Sequence, residues 1–178
     1  MSEKNNLESK LVEESRTVMT EMIMPNDTNP MGNLMGGYLM RWMDIVGAIC
    51  AARHCDAHVA TASVDHISFH EPIKLGDVIT LTARVTRAFN TSVEIFVEVS
   101  AAEITGANAR QSNHAYFTFV ALDTTTMKPI QVPSVNPITS DEKTRFASAS
   151  RRRELRLILA GRMKPTEAKE LQTFFKEL

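Results

Sequence analysis

One stretch of the chain, Tyr38–Cys55, is apolar or small at nearly every position. The exceptions inside it are Arg41, Asp44, Arg53 and His54. The stretch is too long for a buried strand, so its composition predicts a helix. A helix that is apolar on every side must be covered on every side. The rest of the chain is therefore expected to wrap around this segment.

Most of the remaining sequence alternates polar and apolar residues with a period of two, which predicts half-buried antiparallel strands. One run precedes the helix and four follow it: Arg16–Met24, His58–Phe69, Val78–Phe89, Ser92–Ile104 and Asn113–Leu122. The predicted class is α+β, with an antiparallel sheet wrapped around a long central helix. One curled sheet covers only part of such a helix, and we expect a second subunit to cover the rest.

The length of 178 residues suits one domain with tails. We expect a polar lead-in over residues 1–14, the main domain over 15–138 and a basic helical extension over 139–178. The lead-in is too polar for a signal peptide. No apolar run reaches the roughly 18 residues that span a bilayer. The sequence therefore predicts no membrane contact.

The charges are balanced overall, with 20 basic and 21 acidic residues. This balance excludes a DNA-coating protein, which would be basic throughout, and we expect no nucleic-acid partner. From Thr139 onward, however, ten basic and six acidic residues give a net charge of +4. The tract of Arg151, Arg152 and Arg153 is either a solvated helix face or a phosphate site, because arginine binds phosphate with paired hydrogen bonds.

The two cysteines, Cys50 and Cys55, do not make a disulfide scaffold, and we interpret them as reduced residues of a cytoplasmic protein. Together with the histidines they match no zinc-type spacing, so no metal is expected. The sequence contains neither a GxSxG motif nor a Walker A loop. Cys50 is interpreted as a packing residue and not as a nucleophile.

Asp44 is the acid within the apolar helix. Burying an ionised carboxylate in an apolar site without a partner costs free energy, so an acid found there is expected to have a polar partner or a functional role. Desolvation is expected to raise its pKa, which suits a general base near neutral pH. The alternative is that Asp44 faces a solvent cleft or pairs with Arg41 or Arg53.

Gly36 and Gly37 stand just before the predicted helix. Free backbone N–H groups at a helix start stabilise negative charge, and glycine lets a substrate carbonyl approach them, as in an oxyanion hole. Asn29 and Asn33, in the preceding loop, can each hold a carbonyl or a water. For all four residues the alternative is ordinary turn chemistry.

Four motifs resemble those of the hotdog-fold acyl-CoA thioesterases, in the bacterial branch related to the animal cytosolic acyl-CoA hydrolases. They are MPNDTNPMGNLMGGYLMRWMDIVGAICAARHC (Met24–Cys55), VDHISFHEPIKLGDVI (Val64–Ile79), TSVEIFVEV (Thr91–Val99) and HAYFTFVALD (His114–Asp123). The resemblance extends from about Arg16 to Gly161. It implies a hotdog fold paired as a double hotdog, commonly with three such dimers in a hexamer, and hydrolysis of acyl-CoA without a cofactor.

The resemblance also implies roles for individual residues. Asp44 is the catalytic acid, as general base or nucleophile, Asn29 acts with the acid of the partner subunit, and the Gly37 N–H polarises the thioester carbonyl. The further candidate substrate contacts are Gly36, Asn33, Ser92, Arg151, Arg152 and Arg153.

Two other functions remain open. A hotdog hydratase or dehydratase usually pairs an acid with a histidine, and Met24–Arg53 contains no histidine. A non-enzymatic acyl-CoA sensor would be expected to carry a DNA-binding module, and none is recognisable.

Overall fold

An antiparallel sheet and one long helix make up most of the chain. The structure, a computed structural model, describes residues 7–65, 67 and 71–176. In chain order the elements are β1 (Lys10–Leu11), α1 (Val12–Ser15), β2 (Thr17–Met22), α2 (Gly36–Cys55), β3 (His58–Val64), β4 (Val78–Ala88), β5 (Ser92–Ala102), β6 (Arg110–Leu122), β7 (Val135–Asn136), α3 (Ser140–Leu159) and α4 (Lys169–Lys176). The chain divides into two compact units, Met1–Asn136 and Pro137–Leu178.

Five strands form the main sheet, in the order β2-β4-β5-β6-β3, and every neighbouring pair is antiparallel. Alternate side chains of β4 are buried, as the period-two pattern predicts, and these are Ile79, Leu81, Ala83 and Val85. Strands β1 and β7 form a separate two-residue parallel ladder. The α+β class and the sheet curled around a long helix are thus confirmed, and β2 and β3 form the two edges of the sheet.

Helix α2 packs one face closely against the sheet. A Cβ atom at Gly47 would lie 3.1 Å from the ring of Phe119, so a larger residue would require the ring to shift by a few tenths of an ångström. Met43, on the same face, is completely buried. Met40 and Ile49, in contrast, are 42% and 39% exposed. The burial on every side that the sequence predicts is therefore not reached within one protomer.

The carboxyl end of α2 is held by the segment that precedes the sheet. Lys10 Nζ donates to the backbone oxygen of Arg53 at 3.0 Å and to Asp56 Oδ2 at 2.6 Å. Asp56 adopts a left-handed conformation with φ of 49° and ends the helix. A cation at this end also interacts favourably with the helix dipole.

Two strand boundaries differ by more than two residues from those predicted. The strand predicted over His58–Phe69 ends at Val64, and Phe69 lies outside the described residues. The last strand begins at Arg110 and not at Asn113, because its first residues pair with the end of β5, where Arg110 lies opposite Ala101. Such cross-strand pairing is not visible in the local alternation of residues.

The second unit contains the predicted basic helix. Thr139 Oγ1 accepts from the backbone N–H of Glu142 at 3.2 Å, and Glu142 Oε2 accepts from the backbone N–H of Thr139 at 3.1 Å, which makes a capping box. Glu154 in turn accepts from the backbone N–H of Leu171 at 2.9 Å, at the start of α4. None of the helices in the described part of the chain is long and apolar enough to cross a bilayer.

Candidate active site

The acid of helix α2 is held by a hydroxyl group from the edge of the sheet. Thr61 Oγ1 donates to Asp44 Oδ1 at 2.7 Å. Within the described residues Asp44 forms no ion pair with either arginine of its helix, and Arg53 donates instead to Thr17 Oγ1 at 3.1 Å. Asp44 is half-buried. Among the described residues, Thr61 is the hydrogen-bond partner of its carboxylate.

Thr61 is a site residue that the sequence does not reveal. It lies in the run Ala60-Thr61-Ala62, where a β-branched residue is ordinary for a strand. The pairing of β3 with β6 shifts register between Thr61 and Ser63, which indicates a β-bulge. Bulges redirect side chains, and they are frequent beside active sites. Only the fold brings Thr61 to Asp44, 17 residues earlier in the chain.

The amino end of α2 presents free backbone donors. The helix begins at Gly36, its N-cap Met35 makes no side-chain capping bond, and the backbone N–H groups of Tyr38 and Leu39 both donate to Met35 O. No described residue accepts from the backbone N–H of Gly36 or Gly37. A Cβ atom at Gly37 would meet nothing within 4 Å, so a ligand can approach this end closely. Such an end favours a negatively charged oxygen.

The loop before α2 is organised by Asn29. Its Oδ1 accepts from the backbone N–H groups of Met31 at 3.0 Å and of Asn33 at 3.2 Å. Its own backbone N–H donates to Asn33 O at 2.8 Å. The amide oxygen of Asn29 therefore shapes the turn, and its amide NH₂ has no acceptor among the described residues. The turn role and the substrate role are both compatible with this geometry, because they use different atoms.

A cleft of about 430 Å³ opens beside the amino end of α2. Its walls carry mostly apolar side chains, two asparagine amides and one carboxylate, and its lining residues are Asn33, Leu34, Gly36, Leu39, Glu71, Pro72, Ile73 and Asn113. Asn113 is 1% exposed and was not predicted from the sequence as a site residue. The cleft thus brings two predicted residues, Asn33 and Gly36, to one place.

The other predicted substrate contacts lie elsewhere. Ser92 pairs with Val120, on the sheet face opposite the one that Phe119 presents to α2. In the second unit, Arg151 stacks over the ring of Phe174 at 4.5 Å. Arg152 donates to Ser148 Oγ at 2.7 Å and to Arg145 O at 2.9 Å, and Arg153 is exposed. Arg151 and Arg152 therefore contribute to the local structure of the second unit.

The cysteines are unsuited to nucleophilic attack. Burial raises the pKa of the Cys50 thiol to about 12, and it does the same for Cys55. Both thiols are therefore protonated at neutral pH, and a thiol is a much weaker nucleophile than a thiolate. In the part of the chain that the structure covers, no three His, Cys, Asp or Glu side chains come together as metal ligands.

Residues 31–107 match the family model of the thioesterase superfamily. A protein of Bacillus subtilis (strain 168), described as an uncharacterized acyl-CoA thioester hydrolase, is 38% identical over 76% of this chain and 78% of its own length. The cytosolic acyl coenzyme A thioester hydrolase of Rattus norvegicus is 40% identical over 79% of this chain. This chain spans about a third of the rat protein, 37% of its length.

Two solved structures share the fold. An apo-hexameric acyl-CoA thioesterase superposes with a TM-score of 0.83 and 34% identity, over 86% of this chain and 98% of its own. The acyl-CoA hydrolase of Staphylococcus aureus, in complex with butyryl-CoA, CoA and CoA disulfide, superposes with a TM-score of 0.79 and 35% identity, over 86% of this chain and 94% of its own. Three variants of that enzyme, each with one residue replaced by alanine, share the fold as well. The aspartate and threonine variants each superpose with a TM-score of 0.81 and 32% identity, over 96% of this chain and 99% of their own. The asparagine variant superposes with a TM-score of 0.82 and 31% identity, over 97% of this chain and 100% of its own.

Proposed function

The chain belongs to the thioesterase superfamily, and from this premise we propose that it hydrolyses an acyl-CoA thioester to free CoA and a carboxylic acid. The observation that carries the proposal is the half-buried carboxylate of Asp44 on α2, which accepts a hydrogen bond from Thr61 Oγ1 at 2.7 Å. In the proposed reaction water supplies the oxygen of the new acid, and the CoA sulfur leaves and takes up a proton. No cofactor is required.

Asp44 takes the role of general base or of nucleophile. The hydrogen bond from Thr61 engages Oδ1 and orients the carboxylate, which leaves Oδ2 for a water molecule or for the thioester carbon. In the Staphylococcus aureus hydrolase the replaced asparagine, aspartate and threonine lie 15 and 17 positions apart, and Asn29, Asp44 and Thr61 have the same separations. This coincidence supports the same three roles in this chain.

The backbone N–H of Gly37 is the proposed donor to the thioester oxygen. As the carbonyl becomes tetrahedral its oxygen gains negative charge, and free N–H groups at a helix start stabilise that charge without reorganisation. Gly36, which lines the cleft, offers a second donor beside it.

We propose that the complete site forms between two protomers. Gly37 and Asp44 are seven residues apart on one helix, which corresponds to about 10 Å along its axis. Reacting groups need to approach within about 3–3.5 Å. Asp44 therefore acts most directly on a thioester held at Gly37 of a second copy, with the Asn29 of that copy placing the carbonyl or the water. A double hotdog would supply this arrangement. The hexameric relative supports a homo-oligomer, for which we propose a trimer of such dimers.

The CoA phosphates require cationic partners. The arginine tract of α3 remains our candidate, and Arg153 is its most solvent-exposed member. The two free cysteines and the cytosolic relatives support a cytoplasmic location.

The test is release of free thiol from a panel of acyl-CoAs by the wild-type protein and by Asp44→Asn. We expect wild-type turnover, and a loss of about 10²–10⁴-fold in kcat for the variant, as is usual when a general base is removed. Asp141→Asn, an equivalent change in α3, is the matched control and should keep full activity.

Near-normal hydrolysis by Asp44→Asn would overturn the role of Asp44. Tight acyl-CoA binding without thiol release by the wild type would instead favour a sensor. Addition of water to an unsaturated acyl-CoA would favour a hydratase.

A further inference from the structure

One arginine holds the segment that forms a wall of the cleft. Arg110 begins β6, and its side chain is 24% exposed. Its guanidinium donates to Pro72 O at 3.1 Å and to Asp77 Oδ2 at 2.8 Å, and its Nε lies 3.3 Å from Glu71 Oε2. All three acceptors belong to residues 71–77, which we call the wall segment. Glu71, Pro72 and Ile73 of this segment line the cleft.

Asp77 anchors the other end of the wall segment. Its side chain is 9% exposed, and besides Arg110 it accepts from the backbone N–H of Lys74 at 3.0 Å. Its backbone oxygen accepts from the N–H of Ile23 at 2.9 Å, next to the end of β2. Removal of the guanidinium would leave a nearly buried carboxylate without its ion pair, which is costly.

The wall segment is in turn bonded to the loop that carries Asn29. The backbone N–H of Leu34 donates to Ile73 O at 2.8 Å, and that of Leu75 donates to Gly32 O at 2.9 Å. Gly32 N–H donates to Asn29 O at 2.9 Å. The hydrogen bonds thus run from Arg110 through the wall segment to the loop, and the loop leads directly into the amino end of α2.

We propose that Arg110 is a positioning residue for hydrolysis, which fixes the wall segment and, through it, the Asn29 loop at the amino end of α2. The inference rests on the proposed function. A planar guanidinium can hold three acceptors in fixed directions, and a lysine ammonium cannot reproduce that geometry. Because a misplacement of about 1 Å can cost about 10²-fold in rate, a loosened wall segment should be visible in the kinetics.

The test compares Arg110→Ala and Arg110→Lys with Arg84→Ala. Arg84 is the matched control, because it is 32% exposed and pairs with Glu98 at 3.5 Å on the sheet, away from the wall segment. All proteins are assayed for thiol release at a temperature where their melting curves show them folded. For both Arg110 variants we expect kcat/KM to fall about 10–100-fold. We expect KM to rise because the cleft wall moves, and kcat to fall because the Asn29 loop moves. Arg84→Ala should stay within about twofold of the wild type.

Hydrogen exchange provides a readout that does not depend on turnover. In Arg110→Ala the amides of Leu34 and Leu75 should exchange faster, while those of β4 and β5 keep their rates. The proposal is overturned if kcat/KM of Arg110→Ala stays within about twofold of the wild type, if Arg84→Ala loses as much activity, or if the two amides keep their protection. If the wild-type protein released no thiol from any acyl-CoA, the proposed function would be wrong. Amide exchange at Leu34 and Leu75 would then still test whether Arg110 holds the wall segment in place.

Discussion

Replacement of Thr61 by valine removes one hydrogen bond and almost no volume. Valine has the branched shape of threonine, with a methyl group in place of the hydroxyl that donates to Asp44 Oδ1 at 2.7 Å. Thr61 is exposed in the protomer and lies in an edge strand, so the change leaves no cavity in the core. The effect on rate should therefore report the orientation of the Asp44 carboxylate and not the stability of the fold.

The expected size follows from the charge of the acceptor. A hydrogen bond to an ionised group contributes about 1.5–3 kcal/mol. If the carboxylate reacts only in the orientation that this bond holds, the loss appears in the activation free energy. Since about 1.4 kcal/mol is a factor of ten in rate, kcat should fall about 10- to 150-fold.

The assay is steady-state thiol release with a thiol-reactive chromophore, at several acyl-CoA concentrations, so that kcat and KM are separated. Thr61→Ser keeps the hydroxyl and is the control, and it should retain kcat within a few-fold. A Thr61→Val enzyme with wild-type kcat would refute the idea that Thr61 orients the acid. An equal loss in the serine variant would show that packing of the methyl group, and not the hydrogen bond, is what matters.

Two further changes test the fold around the site. Gly47→Ala places a methyl group 3.1 Å from the Phe119 ring. Overpacking of this kind costs about 1–3 kcal/mol, against a gain of about 1 kcal/mol in helix propensity. We therefore expect Gly47→Ala to unfold at a lower urea midpoint than the wild type. Gly37→Ala is the control, because a Cβ atom there meets nothing within 4 Å, and its midpoint should not fall. An unchanged midpoint for Gly47→Ala would contradict the close approach of α2 to the sheet. Desolvation lowers the pKa of His54 from 6.5, so the unfolded chain binds this proton more readily than the folded protein does. The free energy of unfolding should therefore fall as the pH drops below about 6.5 towards the folded-state pKa, and His54→Gln, which keeps a donor for Pro133 O, should flatten this dependence. If the free energy of unfolding depended on pH equally in the wild type and in His54→Gln, this role of His54 would be contradicted.

The long helix and the sheet could be predicted because their signals are local. Apolar residues at nearly every position of Tyr38–Cys55 leave few alternatives to a buried helix, and period-two alternation in Val78–Phe89 indicates a strand without reference to its neighbours. The helix acid was found for the same reason, since a lone carboxylate in such a stretch stands out. These features depend on residues that are close together in the sequence.

Thr61, Asn113 and Arg110 could not be predicted, because their roles come from pairing between distant segments. A threonine within β3, and an arginine and an asparagine that both lie in β6, carry no local signal. Thr61 reaches Asp44 only because β3 folds back beside α2, and Arg110 reaches Asp77 across 33 positions. The roles that the resemblance implies for Asn29 and Gly37 stay predictions.

The exposed apolar surface of the protomer and the proposed chemistry both favour contact with a second copy of the chain. Strand β3 is an edge strand that pairs with β6 on one side and with no other described strand, and such an edge tends to pair with another chain unless it is protected. Helix α2 also exposes the apolar side chains of Met40 and Ile49, whose burial would be favourable. In the proposed dimer a second copy would cover the edge strand and part of this apolar surface, and its Gly37 would lie near Asp44. The second copy would also exclude water from the hydrogen bond between Thr61 and Asp44. Because the dielectric constant is lower where water is excluded, this hydrogen bond would become stronger. The contact that stabilises the dimer would then also be the contact that completes the catalytic site.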